Sequence, residues 1–97
     1  MSADDGVYIL ETQGPEYRIA HMQAVDNLFE EYNPATENWK PNKDVIVDAF
    51  KDSKVFTNLE EAWDAAGDIE VSLNGTEYGM NLVTEFKTFK FSDFIGG

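Results

Sequence analysis

Val7-Tyr-Ile-Leu-Glu-Thr12 is rich in residues that favour β-structure, and the glycine and proline of Gln13-Gly-Pro-Glu16 favour a turn after it. This stretch therefore predicts a first strand. Beyond the turn, Tyr17, Ile19 and His21 occupy alternate positions, which is the spacing of one face of a strand. The two runs predict a β-hairpin at the start of the chain.

Beyond His21, the spacing of apolar residues changes from every second residue to every third or fourth residue. Apolar side chains recur at Met22, Val25, Leu28 or Phe29, and Tyr32. This spacing predicts an amphipathic helix, which Asn33-Pro34 would end because proline breaks a helix. The segment from there to Pro41-Asn42 is rich in proline and asparagine, and it predicts a long loop.

Two further helices are predicted in the middle of the chain. Asn42 is a suitable N-cap for a helix that ends near Asp52, whose inward positions would be Val45, Ile46, Ala49 and Phe50. Lys54-Val-Phe-Thr57 predicts a short strand. Thr57-Asn-Leu-Glu60 has the spacing of a capping box and predicts the start of a third helix. The inward positions of that helix would be Leu59, Ala62, Trp63 and Ala66.

The C-terminal third supports two interpretations. Alternating apolar residues at 69–73 and 78–82 flank Asn74-Gly75, a pair that favours the type I′ turn of a β-hairpin. Alternatively, the third helix continues past Gly67 and Leu73-Asn-Gly-Thr76 is a simple connection. Lys87-Thr-Phe-Lys-Phe91 predicts a last strand.

These elements predict one α+β domain spanning residues 1–97. The order is strand, strand, helix, helix, strand, helix, then two or three strands. Hairpins at both ends favour a mainly antiparallel sheet of four to five strands, and about three helices would cover its apolar face. The expected architecture is a two-layer sandwich.

Charge restricts the classes of partner. Nineteen acidic residues against seven basic ones give a net charge of −12, which repels nucleic-acid phosphates and anionic lipids. We therefore expect no direct nucleic-acid or membrane binding. A basic or nucleic-acid-binding protein would be attracted, although the charge also serves solubility alone. The acidic N-terminus lacks the features of a signal peptide, and the longest apolar runs are far too short to cross a bilayer. A cytoplasmic location is predicted.

The sequence gives no catalytic or metal-binding signature. The chain contains no cysteine, and His21 is its single histidine, so a zinc site would have to be built mainly from carboxylates. No local pattern marks a nucleophilic serine, a phosphate-binding loop or an EF-hand. We therefore expect a protein that is not an enzyme and that uses no cofactor or metal.

Acidic residues recur at helical spacing in the predicted helices. One row is Asp44, Asp48 and Asp52, a second is Glu60, Asp64 and Asp68, and a shorter one is Asp26 and Glu30. Like charges four residues apart cost an isolated helix about 0.2 to 0.5 kcal/mol per pair, so the rows oppose folding slightly. They form the candidate contact surface. Several rows on one face would imitate a nucleic-acid backbone, whereas rows that point in different directions would be ordinary solvated faces.

Aromatic residues crowd the C-terminal fifth of the chain. They are Tyr78, Phe86, Phe89, Phe91 and Phe94. A cluster of this size in a short chain is a candidate for self-association as a homodimer. The alternative is that it forms the main core, because large aromatic side chains dominate burial in small domains.

Four stretches carry a family resemblance: residues 6–12, 17–28, 53–62 and 76–80. The chain resembles small acidic proteins of tailed bacteriophages, including phages of marine cyanobacteria, that have no assigned activity. The loop around Trp39 and the tail after Phe86 fit this pattern least well. The resemblance implies a virus-encoded accessory protein that acts in the cytoplasm of a host cell, and it implies no site residues.

The first functional hypothesis is a non-enzymatic accessory protein that binds another protein through its acidic surfaces. The second is a small-ligand-binding domain or minor enzyme with a pocket formed by Tyr17, His21, Trp39 and Trp63. The third is a component of the virion or of its assembly.

Overall fold

The structure is a computed structural model that describes residues 4–23, 28–36 and 38–95. These residues form strands and helices in the order β1 (Asp5–Thr12), β2 (Glu16–Gln23), β3 (Phe29–Asn33), β4 (Asn38–Pro41), α1 (Lys43–Phe50), α2 (Leu59–Ser72), β5 (Met80–Val83) and α3 (Phe91–Ile95). Strands β2, β1 and β5 form a three-stranded sheet in that order, and β3 pairs with β4 alone. The α+β class is confirmed, but the predicted sheet of four to five strands is not found among the described residues.

Strand β1 is the centre of the larger sheet. It pairs antiparallel with β2, where Ile9 lies opposite Ile19, and parallel with β5, where Ile9 lies opposite Leu82. The predicted β1–β2 hairpin is therefore confirmed, with Thr12 opposite Glu16 at the turn. The sheet is mixed, not mainly antiparallel.

Both faces of β1 are covered by helices. Tyr8 and Leu10 belong to a buried cluster that includes residues of α1 and α3. Val7 and Ile9 belong to a second buried cluster that includes residues of α2. Because successive side chains of a strand point to opposite faces, α2 lies on one side of the sheet and α1 and α3 lie on the other. This part of the molecule has three layers, so the two-layer prediction was wrong.

The helix predicted between Met22 and Tyr32 is not formed in the described part of that segment. Strand β2 continues to Gln23, and Phe29–Asn33 is a strand that pairs with β4. Tyr32 lies opposite Trp39, and the register shifts between Phe29 and Tyr32. Phenylalanine and tyrosine favour strands, and antiparallel pairing with the neighbouring segment Asn38–Pro41 overrides the helical period. The predicted long loop is likewise replaced in part by β4.

Helix α1 agrees with its prediction. The side chain of Asn42 caps the helix by accepting a hydrogen bond of 3.4 Å from the amide of Val45. Ile46 and Phe50 are fully buried one turn apart, which places the inward face of α1 on the cluster around Leu10. The cap stabilises one of the amides that the first turn leaves without a partner.

The segment predicted as a strand at Lys54–Thr57 forms a single bridge. Phe56 and Tyr17 exchange two backbone hydrogen bonds of 2.7 and 2.9 Å. The Ser53 hydroxyl accepts another, of 2.8 Å, from the amide of Ile19. These contacts fasten the connection between α1 and α2 to the outer edge of β2.

Helix α2 begins one residue later than the capping-box pattern indicated. Asn58, not Thr57, is the N-cap, and its side-chain oxygen accepts hydrogen bonds of 2.8 and 3.3 Å from the amides of Glu60 and Glu61. Asparagine and threonine are both good caps, and the neighbouring positions compete. Of the residues expected to face inward, Ala62 and Ala66 are buried, while Leu59 is 38% and Trp63 41% exposed.

The end of α2 decides between the two interpretations of the Asn-Gly pair. The helix continues to Ser72, and Asn74 adopts a left-handed conformation with φ of +59°. The amide of Gly75 donates to the carbonyl of Glu70 at 2.9 Å, and that of Asn74 to Val71 at 3.0 Å. This is a Schellman cap, which requires the same positive φ as a type I′ turn. The hairpin prediction was wrong, and the continued helix is confirmed.

The last predicted strand, at Lys87–Phe91, is also replaced. Two tight turns, closed by Lys87 N to Thr84 O and Phe89 N to Phe86 O, lead into α3. The turns direct phenylalanines into the core from a segment that lacks strand geometry. The ring centroids of Phe86 and Phe29 lie 5.4 Å apart, and those of Phe86 and Phe94 lie 5.8 Å apart.

Replacing Leu10 with alanine tests the central position of β1. Leu10 is 0% exposed, whereas Leu82, in the edge strand β5, is 38% exposed. We expect Leu10→Ala to lower the free energy of unfolding by about 3 kcal/mol and Leu82→Ala to lower it by about 1 kcal/mol. Urea denaturation followed by circular dichroism measures both. Equal losses from the two variants would contradict the central role of β1.

Candidate protein-binding surface on helix α2

The side of α2 that faces away from the sheet forms a continuous surface. Ala62 and Ala66 are buried against β1, so residues half a turn away from them point outward. We call this surface the α2 outer face, with Trp63 at its flank. Its residues are Glu60, Trp63, Asp64, Asp68 and Val71.

All the charged residues of the α2 outer face are acidic. Helix α2 contains glutamate and aspartate residues but no lysine or arginine. The salt bridges of the described residues, Arg18 with Glu16 and His21 with Asp5, lie outside α2. Asp68 lies in the C-terminal half of α2, where an acidic side chain interacts unfavourably with the helix dipole. The charge of this surface is therefore uncompensated within the described part of the chain.

Apolar side chains interrupt the acidic residues. Trp63 is 41% exposed and Val71 is 77% exposed. Val71 lies close to Asp64 and Asp68, because residues three and seven positions apart share one face of a helix. Tryptophan is enriched among the residues that contribute most to protein–protein binding. The α2 outer face thus combines an exposed aromatic side chain with acidic residues around it.

The other predicted acidic rows do not join this surface. Asp44 and Asp48 are exposed on α1, and Asp52 is exposed just after it. Helix α1 packs on the opposite face of the sheet from α2, so the two rows point to different sides of the molecule. Asp26 lies outside the described residues. Glu30 lies in β3, and its side chain is also outside the described set.

Nucleic-acid mimicry requires two or three rows on one face, because charges about 6 Å apart along a single helix are sparser than those of a duplex. The placement of α1 and α2 on opposite faces does not supply this arrangement.

His21 takes part in contacts that hold the strand ends together. Its Nε2 lies 2.5 Å from Oδ2 of Asp5, and Oδ1 of Asp5 accepts a hydrogen bond of 3.2 Å from the amide of Glu77. The amide of Tyr78 donates to the carbonyl of Asp5 at 2.8 Å. These contacts join the end of β2 and the start of β1 to the segment before β5. The described residues contain no group of three histidine or acidic side chains placed to hold a metal.

The pocket hypothesised around His21 is not assembled from its proposed members. The Tyr17 hydroxyl donates to Glu11 Oε2 at 3.2 Å, and burial raises the pKa of Tyr17. Trp63 lies on the solvent side of α2, and the side chain of Trp39 is outside the described set. His21 lines neither of two concavities, one beside Ile19 and one beside Arg18.

The aromatic residues proposed for self-association serve mainly the core of one chain. Phe86, Phe91 and Phe94 are buried in the cluster that contains Leu10. Phe89 packs against that cluster and is half-buried. Tyr78 is half-exposed, and its hydroxyl donates to Asp4 at 3.0 Å. A homodimer through this cluster would have to expose side chains that the single chain buries.

Comparison with known proteins gives no guide to these surfaces. The chain matches no protein-family model, no curated protein and no solved structure. No described helix has the length and apolar character needed to cross a membrane.

Replacing Asp5 with asparagine tests the contact between the strand ends. Hydrogen bonds from His21 and from the Glu77 amide hold the pKa of Asp5 below its ordinary value of 3.8. A carboxyl group whose pKa is lower in the folded than in the unfolded state stabilises the fold at pH values above the unfolded-state pKa. That contribution is lost as the pH falls through the folded-state pKa. We expect wild type to exceed Asp5→Asn in stability at about pH 5, and the difference to shrink below about pH 3. Urea denaturation at both pH values measures it.

Asp48→Asn is the matched control for this experiment. It makes the same change of charge on an exposed position of α1. A stability difference between wild type and Asp5→Asn that is equal at the two pH values would contradict the role of the Asp5 carboxylate.

Proposed function

We propose that this chain is a non-enzymatic binding protein whose α2 outer face docks on a basic surface of another protein. The observation that carries the proposal is the combination on one helix of exposed acids, no base and a 41% exposed Trp63. Helix α1 also carries exposed acids, but Lys43 lies within it and Lys51 follows it directly. The α2 outer face is therefore the stronger candidate.

The two components of the surface have different roles. The acids Glu60, Asp64 and Asp68 attract a basic partner over a distance and accelerate encounter, an effect that salt screens. Trp63 supplies apolar area that becomes buried on contact and slows dissociation. Direct binding to nucleic acid is disfavoured by the net charge of −12.

The partner is proposed to be a basic or nucleic-acid-binding protein. The resemblance to phage proteins favours an accessory role in the cytoplasm of an infected host. A marine cyanobacterium is the host class that this resemblance suggests.

Capture from a cyanobacterial lysate on the immobilised chain tests the proposal. One variant carries Glu60→Gln, Asp64→Asn and Asp68→Asn together, and a second carries Trp63→Ala. The matched control carries Asp44→Asn, Asp48→Asn and Asp52→Asn, which change the charge by the same amount on the other face of the sheet. We expect a captured protein to be lost with the α2 triple variant and retained with the α1 triple variant.

The affinity for the captured protein is then measured at low and high salt. We expect Trp63→Ala to weaken binding about 30-fold, the effect of removing an interface hot spot, and high salt to weaken the wild type. Equal losses from both triple variants would show nonspecific charge attraction and would contradict the proposal. Failure to capture any protein that distinguishes them would contradict it as well.

A further inference from the structure

A hollow of about 470 Å³ lies between the β1–β2 turn and α3. Its size is within the range of small-ligand sites, roughly 300 to 1,000 Å³. A backbone hydrogen bond from Gln13 to Phe89 ties its two walls together. We call it the Arg18 hollow, and its lining residues are Gln13, Glu16, Arg18, Lys90, Phe91, Ser92 and Ile95.

A ring contact and two hydrogen bonds hold Arg18 at the hollow. Its side chain is 12% exposed, and its guanidinium carbon lies 4.1 Å from the ring centroid of Phe91. The Nη1 atom donates to Thr12 Oγ1 at 3.4 Å and to Glu16 Oε1 at 3.3 Å. Stacking and two hydrogen bonds fix the plane of the guanidinium, so little side-chain entropy remains to be lost on binding a ligand.

The remaining edge of the guanidinium is available. Among the described residues, Nε and Nη2 of Arg18 have no hydrogen-bond acceptor. No buried side-chain nitrogen or oxygen of the described residues lacks a partner, and the partly exposed side chain of Arg18 lines the hollow. Two parallel N–H groups on one edge match the two oxygens of a carboxylate.

The charges of the hollow select a monoanion. Arg18 and Lys90 each carry a positive charge, Glu16 carries a negative one, and the sum is a single positive charge. The whole chain carries −12, so each further negative charge on a ligand adds repulsion. A dianionic phosphate is therefore disfavoured relative to a carboxylate.

The wall beside these cations is apolar. Ile95 is 59% exposed, and Phe91, which is almost fully buried, also lines the hollow. We propose that the Arg18 hollow binds a monocarboxylate that carries a short apolar group. The carboxylate lies on the Nε–Nη2 edge of Arg18, Lys90 supplies the second charge, and the apolar group lies on Ile95.

Such a carboxylate has two sources, a free short-chain acid or the C-terminus of a peptide with an apolar last residue. Titration of the labelled protein by NMR with sodium hexanoate probes the first source. Titration with N-acetyl-alanyl-leucine probes the second. The neutral amides of both compounds are the controls for the carboxylate, and inorganic phosphate is the control for charge selection.

We expect saturable shifts of the Gln13, Arg18 and Lys90 amides with hexanoate and none of comparable affinity with hexanamide. Arg18→Lys keeps the charge but removes the pair of parallel N–H donors, so it should weaken binding about tenfold. Lys90→Gln should weaken it about threefold. Lys51→Gln, which makes the same change of charge beyond the end of α1, should leave it unchanged.

Binding of the peptide alone would identify a peptide C-terminus as the ligand. Binding of both compounds would show that a free short-chain acid is sufficient for binding. Three results would overturn the proposal: saturable binding by neither acid, equal binding of the amides, or tighter binding of phosphate than of the acid that binds. An equal effect of Lys51→Gln and Lys90→Gln would overturn it too, since it would reduce the site to overall charge. The Lys90 variant keeps the test valid if Arg18→Lys perturbs the fold, because Lys90 is exposed.

Discussion

Burial of β1 on both faces is the constraint on which the rest of the structure depends. Its residues 7–10 are all buried, and alternate side chains belong to different clusters. A strand enclosed in this way needs cover on both sides and a neighbour at each edge. Helix α2 covers one side, α1 and α3 cover the other, and β2 and β5 supply the neighbours. The parallel pairing with β5 follows from the return of the chain after α2.

This arrangement also disperses the acids. Helices on opposite sides of a sheet present their outward faces in opposite directions, so two rows that look alike in the sequence have separate environments. The row on α1 has lysines beside it, whereas the row on α2 has an exposed tryptophan and no base. The absence of a neighbouring base favours α2 as the candidate contact surface. The exposed apolar residues between its acids favour it further.

The two proposed binding regions lie on different faces of the sheet. The α2 outer face is on the side to which Val7 and Ile9 point. Arg18 lies opposite Leu10 in the β1–β2 register, and it stacks on Phe91 of the other cluster. A protein on α2 and a small acid in the Arg18 hollow would therefore not compete for space. In a chain with few basic residues, the hollow is a local exception to an acidic surface.

Local sequence determined the β1–β2 hairpin, helix α1 with its Asn42 cap and the existence of α2, because each depends on contacts within a few residues. It also placed Glu60, Asp64 and Asp68 on one side of a helix, which follows from the helical period. The strand at Phe29–Asn33 also pairs locally, with Asn38–Pro41, but its apolar residues have a helical spacing that conceals it. Only the tertiary structure decided the helical end at Asn74-Gly75 and the exposure of Trp63. An asparagine with positive φ serves a hairpin and a helix cap equally well, and the choice depends on whether the following segment pairs with β1. The Arg18 hollow was beyond sequence reasoning for the same reason, since Arg18 and Phe91 meet only when the two ends of the chain pack together.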